Sequence, residues 1–249
     1  MLLRSALFNA AFYIWTVGMV ILFLPALLLP WQVTVWGQRR WARGVNGLMR
    51  VLAGIDVEIR GRENLPAGGC IVASKHQSAW DTIIFSILLW DHSFVLKQEL
   101  LRIPLFGLYL SRAGLIPVDR QGGSKALRKM VSTARQVAAA GRPIVIFPEG
   151  TRVAPDQKLP YHPGVAALYS QLNIPVVPVA LNSGLFWRRN SFWKLPGTIT
   201  LEFLAPIPPG LPRREFLQQL ESAIEGRSRA LIAESAAEKP SESKTLAKK

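Results

Sequence analysis

The sequence predicts an α/β domain with a mostly parallel central sheet flanked by helices, preceded by an N-terminal membrane-associated helical element. Three observations predict it. No charged residue occurs from position 5 to position 38. Between positions 55 and 212, short apolar runs alternate with helical stretches, the habit of chains whose crossover helices cover both faces of a parallel sheet. The length, 249 residues, suits one well-packed domain of ordinary size with appendages. The boundaries fall at 1–54 for a membrane helix and an amphipathic helix, 55–234 for the α/β domain, and 235–249 for a disordered tail.

Residues 6–24 are almost entirely apolar or aromatic, and as a helix they would reach about 28 Å, roughly a bilayer's hydrocarbon core. Pro25 and Pro30 kink or end that helix. A cleaved signal peptide is the main rival, but the apolar core is overlong for one and no small-x-small cleavage site follows. Beyond the prolines, Trp41, Val45, Leu48, Met49 and Leu52 recur at helical spacing, while Arg39, Arg40, Arg43 and Arg50 fall elsewhere. This pattern predicts an amphipathic helix on an anionic lipid surface. The positive-inside rule then puts the α/β domain on the cytoplasmic side of a membrane. Spanning the bilayer and folding back within one leaflet both remain open, and Arg4 favours folding back.

In the body of the chain, 57–60 alternates as a half-buried strand does. The stretches 70–74, 144–147 and 174–181 are continuous apolar runs of the kind covered on both faces, and 198–203 adds a further strand. Helices are expected over 78–90, 124–140 and 164–172, with a closing amphipathic helix over 213–234. The last fifteen residues, rich in Ser, Ala, Lys and Glu, are too polar to bury a core.

Composition narrows the function. Hydrophobic residues make up 49% of the chain and the mean hydropathy is +0.21, high for a soluble enzyme. The net charge is +14, which favours an anionic partner such as phospholipid, a phosphorylated substrate, an acidic carrier protein or nucleic acid. Cys70 is the single cysteine, so an intramolecular disulfide and thiolate metal sites are excluded. His76, His92 and His162 lack the close spacing of a zinc site, and no metal is expected.

Four segments can carry chemistry. His76 lies just past an apolar run, with Asp81 five residues on. Ser78 and Asp81 also have capping-box spacing, which by itself explains Asp81. On one continuous helix, residues five apart point roughly 140° apart. His76 and Asp81 therefore meet only if the helix starts after His76, at Ser78. The second segment, 147–152, follows an apolar strand and displays Glu149, Gly150, Thr151 and Arg152 at its carboxyl end, where open α/β sheets bind ligands. Arg152 has the planar fork that grips phosphate; a surface turn with a Glu149–Arg152 ion pair is the structural alternative. The third, 97–120, runs from Lys97 through an apolar, glycine-containing stretch to Arg120. The fourth, 177–182, is a core strand that could wall an apolar ligand.

In this order the segments resemble the glycerolipid acyltransferases, and within them the 1-acyl-glycerol-3-phosphate (lysophosphatidate) acyltransferases. The His-x-x-x-x-Asp box falls on His76 and Asp81. The second block falls on Lys97, Glu99, Leu100, Pro104, Gly107, Gly114, Ile116, Asp119 and Arg120; the third is Phe147-Pro148-Glu149-Gly150-Thr151-Arg152 and the fourth Val177-Pro178-Val179. Arg62-Glu63-Asn64-Leu65-Pro66 resembles the family's lead-in. Lys75 stands where many members have Asn, Val153 where Ser is frequent, and a common downstream lysine is replaced near Tyr161-His162-Pro163-Gly164.

The resemblance implies transfer of a fatty acyl group from acyl-CoA or acyl carrier protein to the sn-2 hydroxyl of 1-acyl-glycerol-3-phosphate, a lysophospholipid held at the membrane bilayer, making phosphatidate in phospholipid biosynthesis. No cofactor is needed and nucleic acid has no part. It gives His76 and Asp81 catalysis, Arg120, Arg152 and Lys97 the acceptor's phosphate, and Glu149, Gly150 and Thr151 the shaping of the substrate pocket. Another lysolipid acceptor would use the same motifs. A membrane-anchored basic binding protein is the alternative from a different class.

Overall fold

The apolar runs form the middle of a seven-stranded sheet. The computed structural model describes residues 1–119 and 122–237. The strands are β1 (Ile55–Arg60), β2 (Ile71–Ser74), β3 (Ser93–Lys97), β4 (Ile116–Val118), β5 (Ile144–Ile146), β6 (Val176–Leu181) and β7 (Gly197–Phe203). Their order is β1-β7-β6-β2-β5-β3-β4. Neighbours run parallel except β6 and β7, which are antiparallel. The mostly parallel sheet expected from the alternation is therefore present.

β2, β5 and β6 are buried at every residue, which is why they read as unbroken apolar runs and not as alternating ones. The two-residue period decides which layer each side chain joins. Val72, Val145 and Val177 pack toward α3 (Trp80–Leu88) and the N-terminal helices, α1 (Leu2–Leu22) and α2 (Trp31–Leu48). Ile71, Ala73, Ile144 and Ile146 pack toward α5 (Gly123–Ala139), α6 (Pro163–Leu172) and α7 (Arg213–Ala237). The first three residues of the expected tail, 235–237, belong to α7; the rest, 238–249, lies outside the described residues.

Two elements go beyond the sequence reading, β3 and the short α4 (Phe106–Arg112). The apolar part of β3 is only Phe94-Val95-Leu96, and its register with β5 covers just Ser93↔Ile144 and Phe94↔Val145. So short a run carries no readable period.

The N-terminal element is a helical hairpin docked on the domain. Trp15 Nε1 donates to the Trp41 carbonyl at 3.0 Å, and Trp41 Nε1 donates to Thr16 Oγ1 at 3.1 Å. Phe8 is buried with its ring edge-on to Trp187, centroids 5.1 Å apart. The stripe on α2 and just beyond it faces inward: Val45 and Met49 are fully buried in the core, with Trp41, Leu48 and Leu52 packed against it. That corrects the expectation of a stripe turned to lipid. Periodicity reports an apolar face but not what covers it, and here the face meets α1 and α3. The apolar surface left uncovered belongs mainly to α1 and the turn after it, including Leu3, Tyr13, Ile14, Val17, Ile21, Leu22 and Leu28.

His92, just before β3, is a core histidine. Its Nδ1–H donates to the Leu89 carbonyl at 3.1 Å, and Nε2 is buried without a partner among the described residues. Burial pushes the imidazole down to about 4 from 6.5. Between those pH values the unfolded chain binds a proton that the folded chain refuses. The stability this site contributes is thus complete above pH 6.5 and is lost as the pH falls toward 4, a change of about 3 kcal/mol. Thermal unfolding across that range is expected to show a steeper acid decline for the parent than for His92→Leu.

Candidate active site

Because β2, β3, β4, β5 and β6 are mutually parallel, their carboxyl ends share one edge of the sheet. His76 follows β2, Lys97 ends β3, Phe147 to Arg152 follow β5, and Ser183 follows β6. This is the edge at which open α/β sheets bind ligands.

His76 and Asp81 meet there in the way the sequence allowed. The helical turn begins after Ser78, and Asp81 Oδ2 reaches back to accept the backbone N–H groups of Gln77 at 2.6 Å and Ser78 at 2.8 Å. The same oxygen lies 3.0 Å from His76 Nδ1. Ser78 Oγ in turn accepts the Trp80 N–H at 3.2 Å. Asp81 thus caps the helix and holds the imidazole at once. Its other oxygen, Oδ1, accepts Ser183 Oγ–H at 2.5 Å. With Oδ2 already accepting two N–H groups, Asp81 is the acceptor and His76 Nδ1 the donor, which leaves the lone pair on Nε2. The imidazole stacks on Phe147, centroids 4.0 Å apart, and its side chain is 14% exposed. A base fixed on one side and open on the other is the arrangement proton abstraction requires.

Beneath His76 lies a buried charge cluster. Lys75, 1% exposed, donates from Nζ to Glu149 Oε1 at 2.5 Å and to Glu225 Oε1 and Oε2 at 2.8 and 3.0 Å. Glu149 Oε2 accepts the backbone N–H of His76 at 3.0 Å, and Tyr161 Oη donates to Glu225 Oε1 at 3.1 Å. Burial pushes the Glu149 carboxyl up, against the pull of Lys75. Burial and the neighbouring Glu225 push the Tyr161 phenol up, so it stays a donor. Every carboxylate oxygen in the cluster accepts a donor. The segment after β5 is tied to the base directly as well: the Val153 N–H donates to the His76 carbonyl at 2.8 Å.

The expected site residues are thus distributed as follows. His76, Asp81, Glu149 and the backbone of 150–153 converge. Glu149 was expected to face substrate; it is 1% exposed with both oxygens engaged by protein donors, so its place is under the histidine. The alternative of a surface turn with a Glu149–Arg152 ion pair is not realised: Lys75 pairs with the Glu149 carboxylate. Arg152 is half-buried and makes no side-chain hydrogen bond among the described residues; burial and the neighbouring Arg189 lower its pKa, while Asp81 raises it. Thr151 is half-buried beside Gly150, whose φ of 65° gives the turn its left-handed residue. Lys97 is exposed at the end of β3. Arg120 lies outside the described residues.

A mostly apolar groove of about 480 Å³ opens beside Phe147, walled by Leu96, Val118, Leu127, Met130 and Val165, with Asp119, Ser124 and His162 as its polar fringe. Ser183 and Glu225 were not singled out from the sequence, and Tyr161 was noted only where a downstream lysine of the family is replaced. Lys75 was the available signal: a lysine directly after a strand buried on both faces needs a buried counter-ion.

Comparison with known proteins identifies relatives of the chain. A family model described as Acyltransferase matches residues 56–182. A 1-acyl-sn-glycerol-3-phosphate acyltransferase of Pseudomonas aeruginosa is 36% identical over 202 residues, 79% of this chain and 77% of that protein. A protein of the same name from Limnanthes alba is 31% identical over 187 residues, spanning 65% of its own length. The human alpha form is 31% identical over 195 residues, 76% of this chain and 69% of that protein. The crystal structure of a 1-acyl-sn-glycerophosphate acyltransferase from Thermotoga maritima superposes with a TM-score of 0.77 at 20% identity, covering 92% of this chain and 97% of that one.

Proposed function

The chain belongs to the acyltransferase family, and on that premise we propose that it transfers a fatty acyl group from a thioester to the sn-2 hydroxyl of 1-acyl-glycerol-3-phosphate, making phosphatidate. The observation that carries this is the imidazole of His76, held through Nδ1 by buried Asp81, with the side chain 14% exposed at the carboxyl edge of the sheet.

Nε2 takes the hydroxyl proton as the acceptor oxygen attacks the thioester carbonyl carbon. Asp81 stabilises the resulting imidazolium through Nδ1–H. Collapse of the tetrahedral oxyanion breaks the C–S bond, and the imidazolium returns its proton to the thiolate, so ester and thiol leave together. The acyl donor, acyl-CoA or acyl carrier protein, already carries the activated group. Arg152, Lys97 and Arg120 are assigned to the acceptor's phosphate, and the groove beside Phe147 to a hydrocarbon chain. The uncovered apolar face of α1 is assigned to the bilayer. Phe8 is buried against Trp187, and Ser5 is bonded to the backbone of Lys194. That docking favours a hairpin lying along the domain over a helix that crosses away from it; the domain is assigned to the cytoplasmic side on the arginines that follow the apolar segment.

Incubation of the purified protein with lysophosphatidate and acyl-CoA or acyl carrier protein is expected to yield phosphatidate. Acylation of a different lysolipid with none of lysophosphatidate would overturn the assignment of the acceptor.

A further inference from the structure

We propose that Arg189, which lies outside every motif singled out in the sequence, is a second guanidinium gripping the acceptor's phosphate beside Arg152. The proposal rests on the acyl-transfer reading above and deepens it.

Arg189 Nη1 donates to the carbonyl oxygen of Arg152 at 3.0 Å. That contact brings its guanidinium to the loop whose next residue, Val153, bonds the His76 carbonyl at 2.8 Å. The field of Arg189 reaches the Arg152 side chain and lowers its pKa. Among the described residues neither guanidinium forms an ion pair, whereas Arg60, Arg142 and Arg227 each do. The two like charges repel, and the carboxylate whose field reaches Arg152, that of Asp81, forms no ion pair with it; a phosphate dianion entering beside both guanidinium groups offsets that repulsion and supplies acceptors for both forks. Only one donor of Arg189 is used in its carbonyl bond.

The segment that carries Arg189 is fixed at both ends. On one side, Ser183 bonds Asp81 at 2.5 Å and the Gly184 N–H donates to Gln77 Oε1 at 2.9 Å. On the other, the Lys194 N–H donates to Ser5 Oγ at 3.0 Å, and Asn9 Nδ2 donates to the Phe192 carbonyl at 2.9 Å. Arg189 is therefore held relative to the base at one end and to α1 at the other. Exposed Phe192 and Trp193 follow it on the side of α1, where the head group of a lipid acceptor would arrive. Arg188 is equally exposed and one residue away, but it makes no such bond and serves as the matched control.

The test compares Arg189→Gln with Arg188→Gln in the full chain, in detergent micelles, varying lysophosphatidate and acyl thioester independently. Arg189→Gln is expected to raise KM for lysophosphatidate about 10- to 100-fold, the scale of a lost hydrogen bond between charged groups. kcat should stay within about twofold and KM for the thioester should not move, as for a group that binds ground and transition states alike. Arg189→Lys is expected to recover part of the loss, and Arg188→Gln to behave as the parent. An unchanged KM for lysophosphatidate in Arg189→Gln would overturn the proposal. So would a rise confined to the thioester, which would give the arginine to the donor's phosphates, or an equal effect of Arg188→Gln, which would mark bulk charge attraction to the lipid surface. If the parent itself failed to acylate lysophosphatidate, the acyl-transfer reading would fall; parent activity with no effect of Arg189→Gln removes Arg189 alone.

Discussion

Replacing His76 with Ala is expected to lower kcat/KM for acyl transfer by roughly 10²–10⁴, the usual worth of a positioned general base. The fold should be little affected, because the imidazole lies at an open edge, 14% exposed, with one hydrogen bond to Asp81. The backbone bonds of His76 to Glu149 and Val153 survive the substitution. KM for lysophosphatidate should hold, since the lost interaction belongs to the transition state. Asp81→Asn should lower kcat as well but cost stability, because Asp81 also caps α3 and bonds Ser183. Comparing kcat with the unfolding midpoint separates the two roles: His76→Ala moves the first alone and Asp81→Asn moves both.

The second large effect is on stability. Lys75→Met leaves the carboxylates of Glu149 and Glu225 buried 1% and 7% exposed without their ammonium, and removal of one partner from a buried ion pair costs about 3–5 kcal/mol. Glu225→Leu should cost less, because a one-to-one Lys75–Glu149 pair remains. The sign of the pH dependence follows from charge. Without Lys75, one carboxylate has a folded-state pKa raised above its unfolded value, so the folded variant binds the extra proton. The deficit of Lys75→Met is therefore greatest near neutral pH and shrinks as the pH falls into the carboxylate range. Chemical unfolding at several pH values measures both the ranking and the slope. A variant as stable as the parent at neutral pH would contradict the cluster as described.

Legibility in the sequence followed the range of the interaction. β2, β5 and β6 were visible because strands covered on both faces are apolar without interruption, and α5 and α7 because their one-sided burial leaves a helical period. The meeting of His76 with Asp81 was also local: five residues and a capping-box break at Ser78 fix it. Lys75 was visible as an oddity but not as the centre of a cluster, since Glu149 and Glu225 lie 74 and 150 residues away. The same holds for Ser183 on Asp81, 102 residues apart. The stripe of α2 was legible as a stripe, whereas its covering by α1 and α3 is decided by tertiary packing. Arg189 gave no signal in the chain, because its significance comes from the carbonyl of Arg152 that it reaches across the sheet edge.

The state of the His76 ring tests the central claim most directly. With only three histidines in the chain, ¹⁵N NMR of the labelled protein, assigned with His92 and His162 variants, reads which nitrogen carries the proton in the neutral imidazole. The account predicts the proton on Nδ1, shared with Asp81, and a lone pair on Nε2. A proton on Nε2 in the neutral ring, or the same spectrum in Asp81→Asn, would contradict it.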